Sequence, residues 1–321
     1  MNFSRQFCVA PMMDWTDRHD RMFLRQFSKH ALLYTEMVTS GALLFGDTAY
    51  LLQHDLKEQP CALQLGGSDP AQLAQCALLG EQAGYQEINL NVGCPSERVQ
   101  SGAFGACLMA SPKLVADCVH AMQQVTSIPI TVKCRLGIDD QDSEEFLVNF
   151  VQTVAAGGCK TFIIHARKAI LKGLSPKQNR EIPPLIYDRV YGIKTRYPEL
   201  EIIINGGITN FAEVHQHCQF VDGVMLGREA YQNPYILAQV DSLLFNESAP
   251  PLSRIEYLEK YLPYVTEQLA LGTPLQHITR HLLGLFKGQK GGKQYRRHLS
   301  ENSYKKTADI SVLLDAIAYV D

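Results

Sequence analysis

Eight short apolar runs, rich in β-branched residues, recur along this chain at intervals of about 20 to 45 residues, and they limit its folding options more than any other feature. They are Phe7–Met12, Leu32–Val38, Cys61–Leu65, Glu87–Val92, Ile130–Arg135, Thr161–Ala166, Glu201–Asn205 and Gly223–Leu226. Stretches with helical spacing lie between them, at Asp69–Ala83, Pro112–Val125, Ser143–Ala156 and Phe211–Gln219. Ser68-Asp69-Pro70 and Ser111-Pro112 set capping candidates before an early-helix proline. Near-continuous apolar strands alternating with helices predict a parallel sheet covered on its outer face. Eight such units predict an α/β fold, a closed (β/α)₈ barrel of the TIM type, with its chemistry at the C-terminal ends of the strands. A doubly wound open sheet is the rival. It commonly carries G-x-G-x-x-G after its first strand, whereas here the first run ends in Pro11-Met12-Met13-Asp14.

The alternation stops after Phe245. Asn246–Leu252 holds a serine and two prolines, as a linker does. Beyond it Ile255–Leu271, Pro274–Phe286 and Ile310–Val320 read as helices, with no strand among them. The expected organisation is a catalytic barrel over residues 1–245 and a small all-helical domain over 246–321.

A chain of 321 residues, 46% apolar, suits one such barrel of about 250 residues plus an appendage. The net charge of −3 gives no global attraction for a polyanion, so nucleic-acid binding would need a local patch. Nine scattered cysteines without a C-x-x-C pair argue against zinc sites and disulfide frameworks and for a reducing cytoplasm. No stretch approaches the roughly 20 apolar residues of a membrane span, and Met1–Gln6 has no hydrophobic signal core. The expectation is a cytoplasmic monomer that needs neither metal, membrane nor DNA.

Ile88-Asn89-Leu90-Asn91-Val92-Gly93-Cys94-Pro95-Ser96 carries the densest chemistry. The apolar strand runs into Gly-Cys-Pro, so a thiol is fixed where the backbone leaves the sheet; Pro95 biases Cys94 towards extended geometry. Asn89 and Asn91 share one face of the strand. A buried, inert cysteine is the commoner fate of a free thiol. Agreement among other strand ends argues against that reading: Met12 and Met13 follow the first run, Gln64 lies on the third, Lys133 and Arg135 on the fifth, His165 and Arg167 at the sixth, Asn205-Gly206-Gly207 at the seventh and Gly227-Arg228 at the eighth. Inward Lys and His are costly as mere packing. Gly206-Gly207 and Gly227-Arg228 occupy the loops where barrels often bind phosphate, with Arg228 adding a charge-assisted contact. With Gln64, Lys133 and His165 facing the axis and Pro11-Met12-Met13 as a wall, the set suits flavin mononucleotide, FMN, whose reduced ring needs amide and cationic donors.

These residues resemble the tRNA-dihydrouridine synthase family along nearly the whole chain. The resemblance rests on Ala10-Pro11-Met12 with Thr16-Asp17, Gln64-Leu65-Gly66-Gly67, Asn89 to Pro95, Lys133-Cys134-Arg135, His165-Ala166-Arg167, Asn205-Gly206-Gly207 and Gly227-Arg228. Pro11 to Arg18 and Glu181-Ile182-Pro183-Pro184-Leu185 are most similar to the bacterial branch acting on positions 20 and 20a of the D-loop. The resemblance implies an FMN- and NADPH-dependent reduction of the uracil C5=C6 bond in tRNA. Flavin N5 would pass hydride to C6, and the thiol at Cys94 would protonate C5. Free thiols titrate near 8.5 and are mostly protonated at neutral pH, as a proton donor requires. FMN contacts implied are Pro11, Met12, Met13, Gln64, Lys133, His165, Asn205, Gly206, Gly207, Gly227 and Arg228, while Asn91 would hold the target base.

Two basic clusters fit a tRNA partner: Arg167-Lys168 with Lys172, Lys177 and Arg180, and a C-terminal run from Arg280 to Lys306 with eight Lys or Arg against one acid, Glu301. Glycines at 288, 291 and 292 suggest a mobile loop, with Tyr295 free to stack on a base. The resemblance implies tRNA contacts at Lys177, Arg180, Lys293 and Arg296, with salt-dependent binding and a flipped-out base. Two rivals stay open: an FMN barrel acting on free pyrimidines, and a tRNA-binding module with a non-catalytic flavin.

Overall fold

The computed structural model describes residues 3–96 and 102–320. Eight parallel strands close into a barrel in sequence order: β1 (Phe7–Val9), β2 (Leu32–Thr39), β3 (Cys61–Gly66), β4 (Glu87–Val92), β5 (Ile130–Arg135), β6 (Thr161–His165), β7 (Glu201–Asn205) and β8 (Gly223–Leu226). Closure is made by β8 on β1, with Phe7, Cys8 and Val9 in register with Val224, Met225 and Leu226. The helices between them bury the outward-facing residues, such as Leu63, Ile88, Val132 and Ile164, in the main core. Inward positions form a smaller cluster that includes Cys8, Leu32, Tyr34, Ile163, Ile203 and Met225. This is the two-layer packing that apolar parallel strands demand.

Local signals set the boundaries. Asp69 and Ser143 are N-caps, accepting from the amides of Gln72 and Phe146 ahead of helices Pro70–Ala83 and Glu144–Ala156. The first strand is shorter than its apolar run. It ends at Val9, and the chain turns at Met12, whose carbonyl accepts from the amides of Trp15 and Thr16 while Asp14 takes a positive φ of 65°.

From Ser253 the chain is helical, in segments Arg254–Ala270, Leu275–Thr279, Gly292–Asn302 and Ile310–Ile317. The predicted helix Pro274–Phe286 stops at Thr279 and continues as turns. A side chain at Gly284 would lie 2.7 Å from the carbonyl of Gln232, so the backbone runs against the segment after β8. The Gly291-Gly292 pair opens a helix, and a Cβ on either would strike the backbone of Tyr319 or Phe286. Tyr295 is fully buried against Phe286, with ring centroids 4.8 Å apart, and cannot stack on a base. The glycines permit close packing here, and the aromatic belongs to the core.

The helical segment docks on the barrel beside β1. The Tyr261 hydroxyl donates to the carbonyl of His19 at 2.8 Å, and Phe27 packs on Tyr257 with ring centroids 4.4 Å apart. Asp17, at the N-terminus of helix Arg18–Leu24, meets Arg280 at 2.5 Å and His281 at 3.1 Å. Burial alone would raise the Asp17 carboxyl; hydrogen bonds and charge from His281 and Arg280 override it and hold the group well below the usual range.

Candidate active site at the barrel mouth

Alternation on β4 sends Glu87, Asn89 and Asn91 into the barrel, and each finds partners on neighbouring strands. At the floor, Arg5 Nε donates to Glu87 Oε2 at 2.6 Å, while the hydroxyls of Tyr34 and Thr131 donate to Glu87 Oε1 at 2.7 and 2.6 Å. Asn89 Nδ2 donates to Thr131 Oγ1 at 2.9 Å, Gln64 Nε2 to Asn89 Oδ1 at 2.8 Å, and Asn91 Nδ2 to Gln64 Oε1 at 2.8 Å. The line ends at the Cys94 turn, where Asn91 Oδ1 accepts the amides of Gly93 and Cys94 at 3.1 and 3.0 Å. An unbroken chain of hydrogen bonds therefore connects the closed end of the barrel to the backbone of Cys94.

The thiol of Cys94 is partly exposed and points to Ser96 Oγ at 3.5 Å. Its turn is held from the other side by Arg135, whose Nε donates to the carbonyl of Gly93 at 3.1 Å. Cys134, by contrast, is buried, and burial pushes its thiol up to about 12. Arg135 also donates to the carbonyl of Asn179 at 3.1 Å, tying the β6 loop to the Cys94 turn. Sequence reading put Arg135 at a strand end but gave it no role, because its acceptors, the carbonyls of Gly93, Lys168 and Asn179, are ones that no side-chain pattern reveals.

Across the mouth stand the basic groups. Lys133 Nζ donates to Asn205 Oδ1 at 3.0 Å, and Asn205 Nδ2 donates to the carbonyl of Met225 at 2.7 Å, which links β5, β7 and β8. Burial first, then the charge of Arg135, lowers Lys133 to about 7. His165 is buried, and desolvation together with Arg135, Lys133, Arg167 and Arg180 drives its pKa well below the usual imidazole value. Among the described residues its Nδ1 is buried without a hydrogen-bond partner, as is Arg180 Nε. Among the described residues the mouth gathers more basic groups than carboxylates, and Glu181 is paired with Arg228 at 2.7 Å. Such a group is incomplete without an anion.

Gly206 and Gly207 take positive φ of 116° and 77°, and a Cβ at Gly206 would sit 3.2 Å from the His165 ring. Gly227 lies beside Ala10 and Met12, so the β1 and β8 loops share a rim. Met13 is exposed beyond it. Gln64, Asn91 and Cys94 thus face Lys133, His165, Asn205, the glycines and Arg228 across one opening.

The basic residues expected further out divide. Lys177 is exposed, whereas Arg180 turns inward towards His165 and Cys94. Lys293 and Arg296 are exposed, three residues apart on helix Gly292–Asn302, and face the same side.

The same barrel and residue order occur in known proteins. The family described as dihydrouridine synthase matches residues 8–319. The chain is 60% identical over 312 residues to a tRNA-dihydrouridine(20/20a) synthase of Shewanella oneidensis, covering 97% of this chain and 93% of that one. It is 59% identical over 321 residues to the protein of that name from Escherichia coli strain K12, covering 100% and 93%. Among solved structures, a 2-naphthoyl-CoA reductase complex superposes with a TM-score of 0.57 at 7% identity, over 74% of this chain and 50% of that one, a likeness of fold alone. The thiol turn, the basic wall facing it and the match along almost the entire length give one conclusion: the chain belongs to the dihydrouridine synthase family.

Proposed function

We propose that this dihydrouridine synthase reduces uridine at positions 20 and 20a of the tRNA D-loop, with FMN as resident cofactor, NADPH as reductant and Cys94 as proton donor. The observation that carries the reading is a basic wall opposite the Cys94 turn: Lys133, His165, Arg167 and Arg180 converge, and among the described residues two of their nitrogens are buried without partners. A phosphorylated, ring-bearing anion satisfies that demand, and Gly206 and Gly207, both at positive φ, lie at the β7 end where its phosphate would bind.

Gln64, Lys133 and His165 would hold the ring system, Pro11–Met13 would wall it, and Asn205–Gly207 with Gly227-Arg228 would take the phosphate. When bound and reduced, FMN supplies a hydride to uracil C6. The protein's own work is positional. Asn91 Oδ1 fixes the turn that carries Cys94, whose thiol would protonate C5. Asn91 Nδ2 spends one hydrogen on Gln64 and has a second left for a carbonyl of the target base. Donors near the ring, Lys133 among them, would stabilise the negative charge that develops on reduction. Lys177, Arg180, Lys293 and Arg296 would grip phosphates, with residues 246–321 acting as the tRNA-binding domain.

The test is anaerobic addition of NADPH and then unmodified tRNA to the purified protein. The reading expects a flavin spectrum that bleaches with NADPH, recovers with tRNA and yields dihydrouridine by mass spectrometry. Bleaching without recovery favours a free-pyrimidine acceptor, and absence of flavin after reconstitution overturns the cofactor.

A further inference from the structure

A second cavity, of about 590 Å³, opens beside the mouth on the β2 flank. Among the residues placed around the proposed flavin site, it shares Met13 alone. One wall is the C-terminal half of β2, from Thr35 to Thr39, continued by Ala42 and Tyr50; the facing wall is Pro274, His277 and Arg280 of the helical segment. The β2 half is also the partition between this cavity and the mouth. Thr35 Oγ1 accepts the Gln64 amide at 3.0 Å, and Met37 lies in register with Gln64.

The volume falls within the roughly 300–1,000 Å³ of small-ligand sites. At the rim Met13 is 57% and Tyr50 71% exposed, large side chains left open to solvent. Neither Arg18 nor His277 is held in an ion pair among the described residues, while Asp17 is engaged by Arg280 and His281. Glu36 is the remaining acid; its Oε1 accepts the amide of Asp14 at 2.6 Å, which leaves Oε2 to accept a further N–H. An apolar and aromatic platform, an unpaired arginine, an imidazole and a single acceptor make the combination by which proteins take a splayed RNA nucleotide.

We propose that this cavity receives the nucleotide adjacent to the uridine being reduced, with its base on Tyr50 and Met13 and its phosphate towards Arg18 and His277. The proposal rests on the tRNA reading above. An enzyme that presents two consecutive uridines to one thiol places a neighbouring nucleotide one phosphodiester from the mouth in either register. A cavity across the β2 partition lies where one such neighbour arrives.

Tyr50→Ala removes the platform, and Ala42→Trp fills the cavity from an exposed helix position, so both variants should fold. Kd is measured with the flavin-loaded protein and three tRNAs: intact, and abasic on the 5′ or on the 3′ side of uridine 20. Loss of one stacked base is worth about 1–3 kcal/mol, or roughly 5- to 150-fold in Kd. We expect each variant to weaken intact tRNA by a factor in that range, with an unchanged flavin-to-protein absorbance ratio. One abasic tRNA should bind the wild type equally weakly and lose nothing more in the variants, as a shared interaction requires. Unchanged Kd in both variants overturns the proposal, as do losses that simply add for both abasic tRNAs. If the wild type binds tRNA but forms no dihydrouridine, the reaction reading falls while the Kd cycle still judges the cavity.

Discussion

The barrel buries charge at both ends, and the two ends handle it in opposite ways. At the floor, Arg5 is matched by Glu87 and Glu201 at 2.6 and 2.7 Å, and Tyr34, Thr131 and Thr161 complete the carboxylates' hydrogen bonds. Burial alone would lower the Arg5 guanidinium; the two glutamates override it and hold its pKa above the ordinary value. At the mouth, Lys133 and His165 have lost water without gaining a carboxylate, and their pKa values fall. The same strands supply both sets, two or four residues apart. A buried charge that meets its carboxylates is structure; a buried basic group that meets none marks the place of a ligand.

That contrast can be attacked at either end. The largest effect belongs to the mouth: Cys94→Ala should cost about 10²- to 10⁴-fold in tRNA turnover, the usual worth of a positioned acid, while flavin content and tRNA affinity persist. A variant running at full speed removes Cys94 from the chemistry. At the floor, Glu87→Gln leaves Arg5 partly uncompensated and should lower stability by about 3–5 kcal/mol, seen as a shifted denaturant midpoint; an unchanged midpoint breaks the claim that the floor is structural. Returning to the mouth, Arg228→Ala should weaken FMN retention roughly 10- to 100-fold, since hydrogen bonds to charged groups are worth about 1.5–3 kcal/mol. The flavin-to-protein absorbance ratio after dilution reports it, and undiminished occupancy would move the phosphate elsewhere. The smallest effect concerns Lys133, which at pH 8 lies above its lowered pKa of about 7 and is mostly neutral. An anion settling beside it raises that pKa, so FMN binding should take up a fraction of a proton. Titration calorimetry in two buffers of different ionisation enthalpy measures it, and zero uptake would mean that the cofactor does not approach Lys133.

The mouth was more legible in sequence than the floor. Cys94, Lys133, His165 and Asn205 each interrupt or end an apolar run, so the eye is drawn to them, and the register of a closed barrel then brings them together. Arg5 precedes the first run by two residues, and its partners at Glu87 and Glu201 lie 82 and 196 positions away. Only closure of β8 on β1 makes them neighbours, and no local pattern encodes that. Asn91 was placed correctly on the strand face, but its grip on the Gly93 and Cys94 amides depends on the turn that Pro95 follows. Tyr295 failed for a different reason: basic neighbours made it look like a stacking residue, whereas its helix turns it onto Phe286. Exposure of one residue does not follow from the charge of the next.

The short first strand has a spectroscopic consequence. The turn that ends it carries Trp15, the chain's single tryptophan, two residues beyond Met13 and stacked on Tyr231 at 4.4 Å. Tyr231 in turn meets His281 of the helical segment at 3.2 Å. Indole emission from this protein therefore comes from one address, on the rim of the proposed flavin pocket and against the seam with the C-terminal helices. A chromophore entering the mouth should quench that emission by energy transfer, and loosening of the seam should shift its colour. The molecule carries its own optical gauge of cofactor loading and helix docking, with no label attached.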